Sequence, residues 1–131
     1  MPTYPYCENI EKETVYNKSF RKVVYTGKYS QLVFMSLIPG EDIGLETHNE
    51  VDQFFRFEEG VGQAVVSGKE YDVSDGIALL VPAGQEHNII NTGNEDLKFY
   101  TLYSPANHID GRVHETKADA LADVEDEAFG H

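Results

Sequence analysis

The chain has a single cysteine, Cys7, and no tryptophan among its 131 residues. One cysteine cannot close an internal disulfide, so the fold must be held by its core, and a cytoplasmic protein is the default expectation. Positive charge is scarce too, with 10 Lys and Arg against 23 Asp and Glu and a formal net charge of -13. Nucleic acid and anionic membrane surfaces are bound through clustered basic side chains, so this balance argues against both as partners. It also weighs against a polyanionic substrate, while the acid excess itself suits solubility and is partly concentrated near the C-terminus. Long apolar runs are missing: nothing approaches the roughly 20 residues of a membrane span. Met1-Pro2-Thr3-Tyr4-Pro5 has neither a basic nor an apolar leader pattern, so no signal peptide is expected.

What is present is enough for one domain with its own core: hydrophobic residues make up 40%, including eight Tyr and seven Phe. Residues 1–20 show no clean period and read as an arm that packs on the body of the fold or on a partner subunit. From 21 to 104 short apolar runs alternate with turn residues. Arg21–Thr26 ends at Gly27, and Gln31–Ile38 stops at Pro39-Gly40. Gln53–Phe57 is an aromatic strand, and Ser67-Gly68 is a two-residue hairpin signal between Ala64–Val66 and Lys69–Val73. Ile77–Val81 has the look of a buried strand, and His87–Asn91 and Leu97–Tyr103 complete the set. This pattern predicts an all-β antiparallel barrel or sandwich. In the remaining segment, 105–131, Thr116-Lys117-Ala118-Asp119 has the form of a capping box, and 118–129 reads as an acidic helix.

Two stretches carry chemistry. Gly40 is followed by five residues and then Glu46-Thr47-His48; four residues later comes Gln53, and six after that Gly60. Gly76 is followed by five residues and Pro82-Ala83-Gly84, then two residues and His87, then three and Asn91. These intervals resemble the two motifs of the cupin superfamily, and the resemblance extends over roughly 21–104 with the flanking strands. The second motif agrees at every fixed position. The first keeps the spacing but has Glu46 where the family usually has its first histidine and Gln53 where it usually has glutamate. Asp52 is a rival for that last position. Strand parity favours Gln53, which shares a face with Phe55 and Phe57, whereas Asp52 shares the other with Phe54 and Arg56.

The resemblance implies a double-stranded β-helix (jelly-roll) barrel, followed by a short C-terminal α-helix. It implies one divalent transition metal (Fe, Mn, Ni, Co or Zn) held by Glu46, His48, Gln53 and His87, and a homodimer. Two imidazoles and one carboxylate with open positions suit a first-row divalent ion. Glu46 and His48, two apart, point the same way on extended backbone. One carboxylate leaves the ion a net positive charge and so a useful Lewis acid. Gln53 adds a neutral carbonyl oxygen and cannot take a proton, so any acid–base step needs another group. The glycines, Pro82 and Asn91 are expected to hold turns that aim the ligands.

Phe55 and Phe57 would make the cavity apolar and line it for a small-molecule ligand. Tyr100 and Tyr103, on opposite faces of the last strand, are further lining candidates. His108 and His114 follow that strand and read first as solvent-exposed loop histidines, with closure over the opening as the alternative. Three functions compete: a metal-dependent enzyme on a small organic molecule (dioxygenase, isomerase or lyase), a sugar-phosphate isomerase of the mannose-6-phosphate isomerase-like group, and a non-catalytic binding or sensor module. A phosphate site needs basic residues, and near the motifs only Arg56 and Lys98 offer any.

Overall fold

A computed structural model describes residues 2–130. The strands are β1 (Arg21–Thr26), β2 (Gln31–Leu37), β3 (Asp52–Glu59), β4 (Val61–Val66), β5 (Lys69–Ser74), β6 (Ala78–Val81), β7 (His87–Asn91), β8 (Leu97–Ser104) and β9 (Val113–His114). They form a six-stranded sheet in the order β6-β3-β8-β2-β1-β9 and a three-stranded sheet in the order β5-β4-β7. Every named pairing is antiparallel. Neighbours in the sheets are mostly not neighbours in sequence, which is the jelly-roll wiring the motif spacing implied.

Alternation builds the core. On β8, Leu97, Phe99, Thr101 and Tyr103 point inward and are almost fully buried; on β3, Gln53, Phe55 and Phe57 do the same. The rings of Phe55, Phe57 and Phe99 meet at centroid distances of 5.2–6.3 Å. Such contacts add about 0.5–1.5 kcal/mol per pair to the burial of the rings themselves. The β4–β5 hairpin turns through Ser67 and Gly68 at φ 48° and 82°, two successive left-handed residues, as a type I′ turn requires.

Three segments differ from their sequence reading. Residues Ile10–Tyr16 form a helix, α1, because the Asn9 side chain caps it by accepting from Lys12 N at 3.0 Å, while Glu11 and Glu13 sit favourably in its first turn. Its seven residues are too short to show a clean period. Lys98 reaches from β8 to the Asn17 carbonyl at its end. The run Ile77–Val81 is not interior: β6 is the edge of the larger sheet, and Leu80 is 65% exposed. Apolarity alone does not separate a central from an edge strand. The acidic tail is two helices, α2 (Lys117–Ala122) and α3 (Val124–Phe129), joined at Asp123. The predicted capping box of Thr116 and Asp119 starts α2. Asp123 then leaves helical geometry, at ψ 82°, and its side chain caps α3 by accepting from Asp126 N. Composition favoured helix throughout, but an aspartate also engaged by Arg112 and His114 is worth more as a cap.

Candidate metal centre

The segment before β3 is stitched to β7 by bridges at Asp42–Ile90 and Glu46–His87; in the second, Glu46 N donates to His87 O at 2.9 Å, and His87 N donates to Glu46 O at 2.8 Å. This second bridge sets the two side chains beside each other. Gly84, in the turn before β7, donates its N–H to the His48 carbonyl at 2.8 Å and fixes the second histidine. Gln53 arrives from the facing sheet, opposite Tyr103 on β8 and Val81 on β6.

Glu46, His48 and His87 present ligand atoms that all lie within 4.8 Å of one another. Glu46 Oε2 is 2.8 Å from His48 Nε2, and His87 Nε2 is 3.0 Å from Gln53 Oε1. His87 Nδ1 lies 3.0 Å from the Gln85 carbonyl, which can only accept, so Nδ1 carries the proton. Burial lowers the His87 pKa, offset in part by that hydrogen bond, so the ring is neutral and Nε2 presents a lone pair. The Gln53 amide nitrogen donates to Thr101 Oγ1 at 3.0 Å, which turns the amide oxygen toward that lone pair. Gln53 Oε1 and His87 Nε2 thus lie 3.0 Å apart. Metal–donor bonds of about 2.1 Å at a right angle place adjacent ligands about 3 Å apart, so both close contacts have the spacing of neighbours on one cation. Burial pushes the Glu46 carboxyl up, but the His48 hydrogen bond and the Arg21 charge outweigh it and leave its pKa below the ordinary value. Asp52 faces outward and accepts from Ala83 N at 2.9 Å. The donor set therefore fits a first-row divalent ion.

The lining residues sort by depth. Phe55 meets His87 edge-on at 5.9 Å, and Tyr103 meets His48 at 5.9 Å, so both border the centre. Phe57 lies a layer deeper, stacked on Phe55, within the core. Tyr100 takes the opposite face of β8, against Phe54 at 6.4 Å, and is directed away from the centre. One residue step along a strand decides this.

A cleft of about 170 Å³ opens onto Glu46 and His48 and is also walled by Arg21, Asn107, His108 and Asp126. His108 and His114 are not the exposed loop histidines expected; they are 7% and 3% exposed. The Gln31 side chain holds the 107–108 turn down, donating to His108 O at 2.7 Å and accepting from the N–H groups of Asn107 and His108. His108 Nδ1 then meets Asp126 Oδ2 of α3 at 2.7 Å, and its Nε2 meets Tyr103 OH at 3.1 Å. His114 meets Asp123 at 2.9 Å. His114, Asp123 and Asp126 also cluster closely enough for a metal, but Arg112 already occupies Asp123 at 2.8 Å, and Asp126 is committed to His108 and Ile109 N.

Arg21, Asn107 and Asp126 were not singled out in the sequence. For Arg21 a signal existed: it shares the inward parity of β1 with Val23, and both are buried. Asn107 and Asp126 follow the barrel and gave none.

Burial lowers the His108 pKa, partly opposed by the Asp126 hydrogen bond, so folding favours the neutral ring. A group whose folded pKa lies below its unfolded value contributes stability above the unfolded pKa, near 6.5 for histidine, and loses it as pH falls. Hence the melting-temperature advantage of metal-free wild type over His108→Asn should shrink between pH 8 and pH 5. Thermal melts of both proteins across that range check this, and an advantage that grows on acidification would contradict it.

Fold and centre together define a cupin. The sequence model for the cupin domain matches residues 33–103, and the chain belongs to that family. It is 52% identical over 125 residues to the uncharacterized protein YrkC of Bacillus subtilis, covering 90% of this chain and 67% of that one. The crystal structure of BH2720 from Bacillus halodurans superposes with a TM-score of 0.90 at 46% identity, covering 92% of this chain and 96% of that one. An oxalate-binding protein of Thermotoga maritima is 34% identical over 68 residues, covering 52% of this chain and 56% of its own.

Proposed function

We propose that this cupin holds one divalent transition-metal ion through Glu46, His48 and His87, with Gln53 as a neutral fourth donor, and is an enzyme acting on a small organic molecule. The observation that carries this is the convergence of Glu46, His48 and His87, whose ligand atoms lie within 4.8 Å of one another, with Gln53 Oε1 3.0 Å from His87 Nε2. A bound ion would polarise a substrate oxygen or acidify a bound water. The chain's own residues supply the rest. Phe55 and Tyr103 keep the inner wall apolar, and the close carboxylate of Glu46 is ionised and needs no proton removed before it can bind. Gln53 cannot act as a base; His108 lines the cleft with its ring held toward the neutral form by burial.

A sugar-phosphate substrate finds less support. Arg56 pairs with Glu58 at 3.3 Å on the outer face, and Lys98 is committed to Asn17, which leaves Arg21 as the basic side chain of the cleft other than the histidines. A purely binding role is favoured by one observation, the kinship with the oxalate-binding protein of Thermotoga maritima.

The test is elemental analysis of untagged protein, followed by reconstitution of the chelated protein with Fe, Mn, Co, Ni and Zn in turn. About one equivalent of one of them is expected, and Glu46→Gln should weaken its binding by at least about ten-fold, since even the outer partners of metal ligands are worth 10–100-fold. Less than a tenth of an equivalent with all five ions would sink the proposal.

A further inference from the structure

Arg21 is the odd residue of the cleft. It opens β1, between His114 of β9 and Met35 of β2, and is 7% exposed. Its Nε is buried without a hydrogen-bond partner. Among the described residues no carboxylate lies within ion-pair distance of its guanidinium, although Arg112, Arg56 and the other buried cation Lys98 all have oxygen partners. The Phe20 ring lies 5.3 Å from the guanidinium carbon, and the Arg21 charge acts on the Glu46 and Asp126 carboxylates from beyond ion-pair distance. A buried charge without a direct partner is expensive, and the usual resolution is a carboxylate in bidentate contact. Arg21 instead lines the cleft that ends on Glu46 and His48.

We infer that Arg21 is the anchor for a carboxylate group of the ligand, so that the molecule taken at the metal centre is a small carboxylic acid. This rests on the metal reading above, and adds to it the class of molecule and the residue that selects it. One carboxylate would sit on the guanidinium fork while another oxygen of the same molecule reaches the Glu46–His48–His87 centre. A planar, singly charged carboxylate matches one guanidinium. A phosphate puts all its charge on one group beside Arg21, where Glu46, Asp126 and Glu127 also line the cleft, whereas a small carboxylic acid divides its oxygens between Arg21 and the centre. The cleft holding Arg21 is small, about 170 Å³, and shares Thr47, His48 and Asn107 with a wider cavity of about 570 Å³, so the part of the ligand beside Arg21 has few heavy atoms. Asn107, at the same wall, has a buried side-chain oxygen without a hydrogen-bond partner, so a donor on the ligand could be met as well.

A merely structural Arg21 would be needed for stability and indifferent to ligands; an anchor has the reverse profile. The experiment titrates oxalate, malonate and pyruvate, with inorganic phosphate and the dimethyl ester of malonic acid as comparisons, into metal-free and Co(II)-loaded protein. Calorimetry reads affinity, and the Co(II) visible spectrum reads approach to the metal. At least one carboxylate should bind, and phosphate and ester should bind at least ten-fold more weakly. Arg21→Gln should keep its Co(II) content and lose roughly ten- to a hundred-fold in carboxylate affinity, the range for hydrogen bonds to a charged group. Arg21→Lys should recover part of it, and Arg21→Met should melt no lower than wild type in the absence of ligand. Equal carboxylate affinity in wild type and Arg21→Gln overturns the assignment, as does a preference for phosphate. So does a large drop in the melting temperature of ligand-free Arg21→Met. Failure of Co(II) to bind with carboxylate affinity intact strikes the metal reading and leaves the anchor standing.

Discussion

His87→Ala should abolish stoichiometric metal binding, weakening it by at least about a hundred-fold, because it removes the donor whose tautomer and orientation are best defined. The ring is 1% exposed, bonded through Nδ1 to the Gln85 carbonyl, and packed edge-on against Phe55. Gln53 is held by Thr101 and is not free to take its place. Equilibrium dialysis with the native ion measures the loss. An independent readout is linkage: an ion at a hundred times its Kd stabilises the wild type by about 2.7 kcal/mol, raising the melting temperature by on the order of 10 °C. That rise should vanish in His87→Ala and survive in Tyr100→Phe, whose side chain lies on the outer face of β8. A variant that still binds one equivalent with unchanged affinity would remove His87 from the ligand set.

Gly60→Ala should destabilise the protein by about 3 kcal/mol or more, through two costs at one position. Gly60 has φ +89°, where a side chain is strained by about 1–2 kcal/mol. A Cβ there would also lie 2.5 Å from Asp96 O and 2.9 Å from Leu97 Cα. Both are backbone atoms, at the residue before β8 and its first residue, and the inner residues of that strand, Phe99, Thr101 and Tyr103, form the core and the wall of the centre. They cannot yield without shifting that strand, and overpacking of this kind costs about 1–3 kcal/mol more. Gly68→Ala is the internal comparison: φ is +82°, but nothing lies within 4 Å of the added carbon, so only the conformational cost of about 1 kcal/mol applies. Chemical denaturation of both variants reads the difference, and equal losses would show that the Asp96–Leu97 contact gives way freely.

The fold was legible because its determinants are local. Turn residues recur at fixed intervals, and period-two alternation assigns each strand residue to a face. The same parity separated Gln53 from Asp52 and paired Glu46 with His48, and the structure places these side chains accordingly. Parity was available for Tyr100 and Tyr103 as well, but the sequence does not say which face is the inner one. That is decided by the second sheet, whose Ala64, Val73 and Ile89 share one core with Phe99 and Tyr103. The exposure of Ile77 and Leu80 has the same origin, because a strand's place at a sheet edge is a property of the assembled order.

Read alone, the sequence determined the jelly-roll class, the strand framework and the candidate trio Glu46, His48 and His87, which the structure brings together, since each depends on intervals along the chain. Tertiary structure alone decided what the donors face. Arg21 comes from the first strand, Asn107 and His108 from the segment after the last long strand, and Asp126 from a helix near the C-terminus. Their convergence on one cleft depends on Gln31 fixing the 107–108 turn and on His108 receiving Asp126. These are hydrogen bonds between residues far apart in sequence, with no periodicity to announce them. The candidate metal centre follows from spacing, whereas the cleft wall beside it exists only once the segment after β8 has folded back over the barrel.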